Sequence, residues 1–416
     1  MILTYLRGSL YFALPKQWID KPATQKLSLS ITLFILLFMR HSLPKLSFLC
    51  LIIAVLSLNS AVVAFSQDKM TKKPVELDTA LYETDKNSLF PLPVVYYTPE
   101  AGLFYGAAIL YNFFTNREKP INASQIQLAA GYTTKQQTLI FLPFQIFWDQ
   151  NKWRSIGELG YYNYAYPFYG IGNNGQQEVF STYRASFPRV RVFLLKETAP
   201  NLFVGGRYWF ENYDVIEWDN SGSFQQEDFS GGFYNRTSGI GPALIYDTRD
   251  GVYYPRNGHY LESFIEVNHD YTGSTHNYTA FSFDYAYYYA PANKTVVAAN
   301  AFSWSNVGDV PFNRLAQLGG NKKMRGYFQG YFQDNNLVLG QLEVRQELFW
   351  RIGITAFSSA GQTSESWGDY GMDRWNYAAG AGLRFTFDTK KHINVRLDYA
   401  VGKDSNGFYI AFNEAF

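Results

Sequence analysis

The feature that most limits the fold is an alternation of apolar and polar residues that runs from residue 91 to the end of the chain. It is divided into segments by turn residues, and each alternating segment predicts a strand with one apolar face. The predicted strands are 91–98, 102–114, 124–133, 137–148, 152–164, 183–195, 201–214, 237–247, 259–269, 277–289, 295–305, 336–349, 351–358, 376–387, 392–402 and 407–416. Sixteen strands is an even number, as a closed antiparallel membrane barrel requires.

Composition supports a barrel in a membrane. Aromatic residues make up 19% of the chain and charged residues 17%, yet the mean hydropathy is only −0.20. After residue 66 no apolar run approaches the roughly 18 residues that a membrane helix needs. Because only every second residue of a barrel strand faces lipid, modest hydropathy is expected. We therefore predict an all-β protein, a 16-stranded antiparallel transmembrane β-barrel in the outer membrane of a Gram-negative bacterium, in contact with outer-membrane lipid. The net charge of +1 gives no indication of nucleic-acid binding.

The amino-terminal part has the order of a secretory signal. Basic residues between 39 and 45 precede an apolar run over 46–58, and cleavage is predicted after Ser66 with Ala64 at the −3 position. We assign 1–66 to this region, with the signal proper at 39–66. Residues 1–38 are interpreted as an overcalled gene start, the alternative being a genuine anchor or an extended signal. The polar stretch 67–90 then forms a short periplasmic tail.

Residues for catalysis, cofactors or metals are sparse. The only cysteine, Cys50, lies in the signal, and Leu49 before it argues against lipoprotein processing, so the mature chain would have neither disulfides nor thiolate sites. The remaining histidines show no Ser–His–acid pattern or metal-ligand spacing; they are His259, His269, His276 and His392. His269 and His276 flank one loop, and we interpret them as polar loop residues rather than metal ligands. We predict no enzyme, no catalytic residue, no cofactor and no metal.

The connections between predicted strands alternate in length, clearly so in the second half of the chain. Bacterial barrels have short periplasmic turns and long extracellular loops. The short connections are 291–294, 350–351 and 388–391, and the long ones are 220–235, 311–333 and 362–374. In the first half the alternation is weaker, with a long loop at 167–182. The charged, Gly-rich segment Leu318–Tyr331 is therefore expected on the extracellular side, between the eleventh and twelfth strands.

The last predicted strand ends on an aromatic residue. Phe408, Ile410, Phe412 and Phe416 share one face, which Glu414 interrupts near its end. A terminal aromatic residue on such a strand is the pattern that the outer-membrane assembly machinery recognises. We predict Phe412 and Phe416 as the assembly signal, with that machinery as a partner during the insertion of the chain.

Three blocks of sequence resemble the BamA/TamA superfamily of bacterial surface-antigen barrels. They are the segment 246–250 with 254–258, the segment from Gly319-Gly320 to Arg325-Gly326-Tyr327, and the strand ending at Phe416. The resemblance covers about residues 91–416. It implies a sixteen-stranded barrel whose sixth extracellular loop folds into the lumen and carries its Arg-Gly-Tyr tip to an acidic site on the wall. Relatives that assemble or secrete proteins carry periplasmic POTRA domains ahead of the barrel. Only the short stretch 67–90 lies between the predicted signal and the first predicted strand, so we expect a member without these domains.

The alternation also predicts which polar side chains face the lumen. In the twelfth strand Gln341, Glu343, Arg345 and Glu347 share the inward face, and in the fifteenth Asn394, Arg396 and Asp398 do. A buried Arg325 needs a carboxylate partner because its guanidinium is always charged.

The resemblance points to Glu343 as that partner, with Gly326 permitting the tight tip and Tyr327 packing on the wall. Relatives place a second acid in a Phe-x-Asp-x-Gly motif, where this chain has Ser359. A hydroxyl supplies no charge, so the loop clamp is expected to be weaker or to depend on Glu343 alone.

The first block of the resemblance is interpreted as a periplasmic turn between the eighth and ninth strands. Pro255 and Gly258 would shape the turn, while Asp247, Arg249 and Asp250 would pair with one another or cap strand ends.

Three functions remain open from the sequence. The leading hypothesis is assembly, insertion or translocation of proteins or lipids at the outer membrane, through a weak seam between the first and last strands, because the first strand contains Pro91 and Pro93. The alternatives are a transport pore gated by the folded-in loop, and a structural subunit of an envelope complex with periplasmic or barrel partner proteins.

Overall fold

The computed structural model of the chain describes residues 5–6, 9–10, 87–98, 101–116, 121–174, 181–222, 224–389 and 392–416. Most of the predicted signal and tail therefore lies outside the described residues. Of the part that is described, Tyr5–Leu6 and Ser9–Leu10 form a separate pair of short strands. Sixteen antiparallel strands close into one barrel. They are β1 Ser88–Thr98, β2 Gly102–Phe113, β3 Ser124–Thr133, β4 Thr138–Trp148, β5 Trp153–Phe168, β6 Ser181–Ala199, β7 Leu202–Trp218, β8 Tyr234–Asp247, β9 Gly258–Asn268, β10 Tyr278–Ala292, β11 Thr295–Gly308, β12 Asn336–Phe349, β13 Ile352–Ser364, β14 Asn376–Asp388, β15 Ile393–Gly402 and β16 Ser405–Phe412.

The predicted fold class is confirmed, and each predicted strand overlaps one observed strand. Several boundaries were wrong by three or more residues, and three of them matter for the loop and the seam. β1 begins at Ser88, so the last residues of the predicted tail belong to the barrel. β13 extends to Ser364, and the loop predicted from residue 362 starts after it. β16 ends at Phe412 rather than at Phe416.

The wall has an apolar outer face and a polar inner face, as the alternation predicted. In β12 the outward side chains of Leu342 and Val344 are 56% and 46% exposed, whereas the inward Glu343 is 0% exposed. In β15, Asn394, Arg396 and Asp398 are likewise buried on the lumen side. Lipid therefore contacts aliphatic and aromatic side chains, and the lumen holds the buried charges. Among the residues that the structure describes, no helix has the length and apolarity that a membrane crossing needs.

The two ends of the barrel differ. We call the end that carries the connection 309–335 the loop end and the opposite one the turn end. Among the residues described at the loop end there are four short 3-10 helices, Gln226–Asp228, Asp270–Thr272, Phe312–Arg314 and Trp367–Asp369. At the turn end, β12 and β13 are joined through residues 350–351, as predicted. The alternation of lengths fails in places, since β15 and β16 are joined at the loop end by residues 403–404 alone.

The strands differ in length around the barrel. β5, β6 and β7 have 16, 19 and 17 residues, against 8 for β16. A tilted strand needs roughly 9–11 residues to cross a membrane, so the β5–β7 wall extends well beyond it at the loop end. Aromatic side chains fill the inside of this extension, and the buried ones are Phe168, Tyr183, Phe187, Tyr213 and Phe312. This tall wall lies across the barrel from the short β16.

The barrel closes at a weak seam between β16 and β1. Within the described residues these strands are in register at one position, Ile410 with Tyr97. The next strands on either side pair along their lengths, β15 with β16 and β1 with β2. The seam is therefore the point where the wall has the least backbone pairing.

Candidate functional site

The connection 309–335 folds back into the barrel instead of extending into solvent. Its stem is a short antiparallel pair, Ala316–Leu318 with Phe332–Asp334. Beyond the stem, Met324 and Tyr327 are fully buried in a cluster that includes wall residues of β12 and β14. A charged, Gly-rich segment is buried in this way only if the wall supplies partners for its polar groups. The predicted fold of this loop into the lumen is confirmed.

Arg325 at the tip of the loop contacts two carboxylates of the wall. Its Nη2 lies 2.5 Å from Oε2 of Glu343 on β12, and its Nη1 lies 2.6 Å from Oδ2 of Asp398 on β15. The guanidinium also lies over the ring of Phe357 on β13, 3.4 Å from its centroid. Arg325 is 2% exposed. We call Arg325, Glu343 and Asp398 the loop clamp.

The expectation that this contact depends on Glu343 alone was wrong. Ser359 is buried on the same inward face of β13 as Phe357, but the second acid comes from Asp398, two strands further around the barrel. The sequence had placed Asp398 on the inward face without indicating its partner. Which inward residues meet across a lumen depends on how the barrel closes, and periodicity does not contain that information.

The clamp is part of a larger buried network of four arginines and three carboxylates. The ion pairs are Arg325–Glu343 at 2.5 Å, Arg325–Asp398 at 2.6 Å, Arg345–Glu343 at 2.7 Å, Arg384–Asp398 at 2.6 Å, Arg384–Glu414 at 2.8 Å, Arg396–Asp398 at 3.0 Å and Arg345–Glu414 at 3.7 Å. Removing one partner from such a network leaves another charge buried without compensation. The arrangement therefore holds the tip of the loop in one position.

Gly326 and Tyr327 attach the tip to the strands beside the seam. Gly326 has a φ of 111°, which favours glycine, and its N–H donates to the hydroxyl of Tyr409 on β16 at 3.0 Å. The hydroxyl of Tyr327 donates to the carbonyl of Tyr377 on β14 at 3.0 Å and accepts from the N–H of Lys403 at 2.7 Å. The sequence had predicted that Tyr327 packs on the wall, but the role of Tyr409 was not foreseen.

The predicted periplasmic-turn motif lies at the turn end, between β8 and β9. Arg249 forms a two-point ion pair with Asp247, with both nitrogen–oxygen distances at 2.9 Å. Asp250 accepts hydrogen bonds from the backbone N–H groups of residues 256 and 257. Gly258 has a φ of 112°. The carbonyl of Pro255 accepts from Nη1 of Arg345 at 3.5 Å, which connects this turn to the lumenal network.

The carboxy-terminal residues lie partly inside the barrel. Phe412 is at the end of β16 and is exposed on the lipid-facing side. Phe416, predicted on the same strand face, lies beyond the strand, where its carbonyl accepts a hydrogen bond from Arg345 at 2.9 Å. Glu414, which interrupted the predicted apolar face, is buried against Arg384. The chain therefore turns inward after Phe412, because the lumen provides partners for Glu414 that lipid does not.

One group of loop residues has the composition of a catalytic triad but not its geometry. Nδ1 of His276 lies 2.8 Å from Oδ2 of Asp309 and 3.3 Å from the hydroxyl of Ser230, which itself donates to Asp309 at 2.9 Å. A triad needs the acid and the serine on opposite ring nitrogens. Both contact the same nitrogen here, so the histidine is not placed to activate this serine.

The fold and site together define a class. A closed barrel with an apolar outer face, a buried charge network and a loop folded into its lumen is an outer-membrane β-barrel protein. A family profile described as the Omp85 superfamily domain matches residues 121–416. The chain belongs to the Omp85 superfamily. A search of the curated proteins finds no match.

Solved structures show the same architecture. BamA from Haemophilus ducreyi lacking POTRA domains 1–3 is similar with a TM-score of 0.55 and 14% identity, over 79% of this chain and 70% of that one. CdiB from Escherichia coli gives 0.51 and 9%, over 79% and 67%. At these identities the similarity shows the fold.

Proposed function

We propose that this barrel takes part in the assembly, insertion or translocation of proteins or lipids at the outer membrane of a Gram-negative bacterium, through the seam between β1 and β16. The observation that carries the proposal is the single register position that joins the two strands, Ile410 with Tyr97. Membership of the Omp85 superfamily and the fold shared with BamA support it.

The seam leaves backbone groups unpaired where lipid supplies no hydrogen bonds. β16 has 8 residues and β1 has 11, and apart from the one position their facing edges are not in register within the described residues. Each unsatisfied backbone group costs free energy in a bilayer. Pro91 and Pro93 in β1 have no N–H to donate. An incoming strand that pairs with either edge would satisfy these groups, which is the physical basis of strand addition.

The loop tip is hydrogen-bonded to the strand that would move if the seam opened. Tyr409, which accepts from the N–H of Gly326, is the neighbour of Ile410 in β16. Any displacement of β16 away from β1 therefore acts on the tip that Arg325 holds. We propose that the loop clamp keeps the seam strand in place between cycles of opening.

Partners follow from this proposal. A strand-adding barrel requires a client, outer-membrane lipid around it, and its own insertion by the assembly machinery, for which Phe412 and Phe416 remain the predicted signal. Periplasmic or membrane partner proteins would deliver clients. We propose no enzymatic activity, since Ser230, His276 and Asp309 lack the geometry of a nucleophilic centre.

Photo-crosslinking tests the proposal. A photoreactive residue replaces Val95, which is 54% exposed on β1, and a matched control replaces Ile109, which is 44% exposed on β2. Both side chains face lipid, but only the first lies on the strand that borders the seam. The proposal expects protein adducts with a newly synthesised barrel protein at Val95 and not at Ile109. Equal adducts at both positions, or none at either, would contradict it.

A further inference from the structure

The loop is held at a second point, far from its tip. Arg314 lies in the 3-10 helix before the stem, and its Nη2 contacts Oε1 of Glu266 on β9 at 3.0 Å. Its Nε donates to the hydroxyl of Tyr278 on β10 at 3.1 Å. Its guanidinium lies over the ring of Trp209 on β7, 4.1 Å from the centroid. Glu266 is fully buried and also pairs with Arg207 of β7.

Neighbouring contacts fix the rest of the base and the stem. The N–H of Phe312 donates to the carbonyl of Ser230 at 2.9 Å, and its ring is buried among the aromatic residues of the tall wall. In the stem, the side-chain amide of Gln333 donates to the carbonyl of Gly170, and the backbone carbonyl of Gln333 accepts from the N–H of Gly172. These polar contacts are with β5–β10 and their loops, whereas the clamp is with β12 and β15. The apolar side chains of the stem, Leu318 and Phe332, pack in the same cluster as Met324 and Tyr327 of the tip, against β12 and β14.

Glycines with positive φ separate the stem from the tip. Gly319 and Gly320 have φ values of 108° and 87°, and Gly330 has a φ of 76°. Within the tip, the N–H of Gly319 donates to the carbonyl of Lys323 and that of Gly320 to the carbonyl of Tyr327. The tip is therefore a turn closed on itself, joined to the stem on both sides by the residue type that changes backbone conformation at least cost.

We infer that Arg314 is a second positioning residue of this loop, which holds its base independently of the clamp at its tip. Arg314 and Glu266 fix the base to the β7–β10 wall and thereby set the position of the stem. The loop clamp holds the tip, over residues 321–329, together with the ion pair of Lys323 with Asp284 on β10, and the tip moves about the flanking glycines when the clamp is released. Loss of the clamp would thus free the tip within the lumen without releasing the loop from the barrel. The inference concerns how the loop is attached and does not depend on what passes the seam.

Spin-label mobility at two positions tests this inference. Single cysteines replace Lys322 in the tip or Gln317 in the stem, in a Cys50→Ser background, and the line shape of each label is recorded with the barrel in lipid vesicles. Both labels are expected to be immobilised in the otherwise unchanged chain. Arg325→Met should remove the immobilised component at the tip and leave it at the stem. Arg314→Met should remove it at the stem and leave it at the tip.

Two results would overturn the inference. One is an unchanged stem spectrum in Arg314→Met, and the other is equal loosening of tip and stem in Arg325→Met. Folding is checked by the heat-modifiable band on gels, which a barrel retains while its wall is intact. If Arg314→Met does not insert, Arg314→Lys replaces it, because lysine keeps the charge but lacks the fork that reaches Glu266 and Tyr278 together. The inference is then overturned by an unchanged stem spectrum in Arg314→Lys or, as before, by equal loosening of tip and stem in Arg325→Met.

Discussion

Removing the charge of Glu343 is the sharpest perturbation of the loop clamp. Glu343 is fully buried and accepts from Arg325 at 2.5 Å and from Arg345 at 2.7 Å. Glu343→Gln preserves the shape but leaves two guanidinium groups facing a neutral amide. Breaking a buried pair from one side costs about 3–5 kcal/mol. We expect the lower end, about 3 kcal/mol, because Arg325 retains Asp398 and Arg345 retains the carbonyl of Phe416.

A matched control lies on the same strand. Glu347 pairs with Arg256 at 3.4 Å and its side chain is 40% exposed. Glu347→Gln is the same chemical change at a solvated pair, for which the expected cost is about 0–1 kcal/mol. The comparison separates burial of the ion pair from the substitution itself.

The assay is urea unfolding of the barrel in lipid vesicles, followed by the heat-modifiable band on gels and analysed by linear extrapolation. Arg325→Met combined with Glu343→Gln should cost less than the sum of the single changes, because the two residues contact each other. A Glu343→Gln midpoint equal to that of Glu347→Gln, or strict additivity in the double variant, would show that the buried pair of Arg325 with Glu343 does not stabilise the barrel in this way.

Three further predictions concern the loop and its surroundings. Ser359→Asp is expected to stabilise the loop, because Nε of Arg325 has no hydrogen-bond partner among the described residues and the network has one more arginine than carboxylates; a lower urea midpoint would contradict this. Deleting Leu318–Tyr331 should raise single-channel conductance in planar bilayers, since the segment occupies the lumen, and an unchanged small conductance would argue against a gated pore. At the loop end, partial burial raises the pKa of Asp309, but hydrogen bonds from His276 and a serine hydroxyl outweigh it and the net pKa lies below its usual value. The contact should therefore persist from neutral pH downwards and weaken only below about pH 4, and loss of amide protection in this loop already at pH 6 would contradict that.

The sequence predicted the strands well where lipid is on one side. Alternation is enforced there because an outward side chain must be apolar and an inward one need not be. β13 was predicted to end at residue 358 but continues to Ser364. The last residues of β13 face the loop and not lipid, and Gly361 packs beside Leu318. The alternation of apolar and polar residues that identifies a membrane strand is therefore missing from them.

The loop clamp was partly predictable, because the same alternation shows which side chains face the lumen. The inward faces of β12 and β15 follow from period two, and the resemblance supplied the pairing of Arg325 with Glu343. Asp398 as the second acid did not follow, because β12 and β15 are separated by two strands and period two does not show that both contact Arg325 of the loop tip. The anchor at Arg314 was missed since nothing in the local sequence marks a loop arginine as buried.

A disulfide across the seam tests whether β1 and β16 must separate for the barrel to act. Tyr97→Cys with Ile410→Cys joins the one register position between β1 and β16, and cross-strand neighbours are close enough for a disulfide. Leu397→Cys with Ile410→Cys is the matched control, because it joins β15 to β16 where the strands are already paired.

The measurement is the rate at which vesicles containing the oxidised barrel fold a small outer-membrane barrel protein added from urea, compared with the same vesicles after reduction. We expect vesicles with the reduced barrel to fold the added protein faster than empty vesicles do. The seam disulfide should abolish this acceleration and reduction should restore it, whereas the control disulfide should have no effect. Undiminished folding with the seam locked would show that the seam does not need to open.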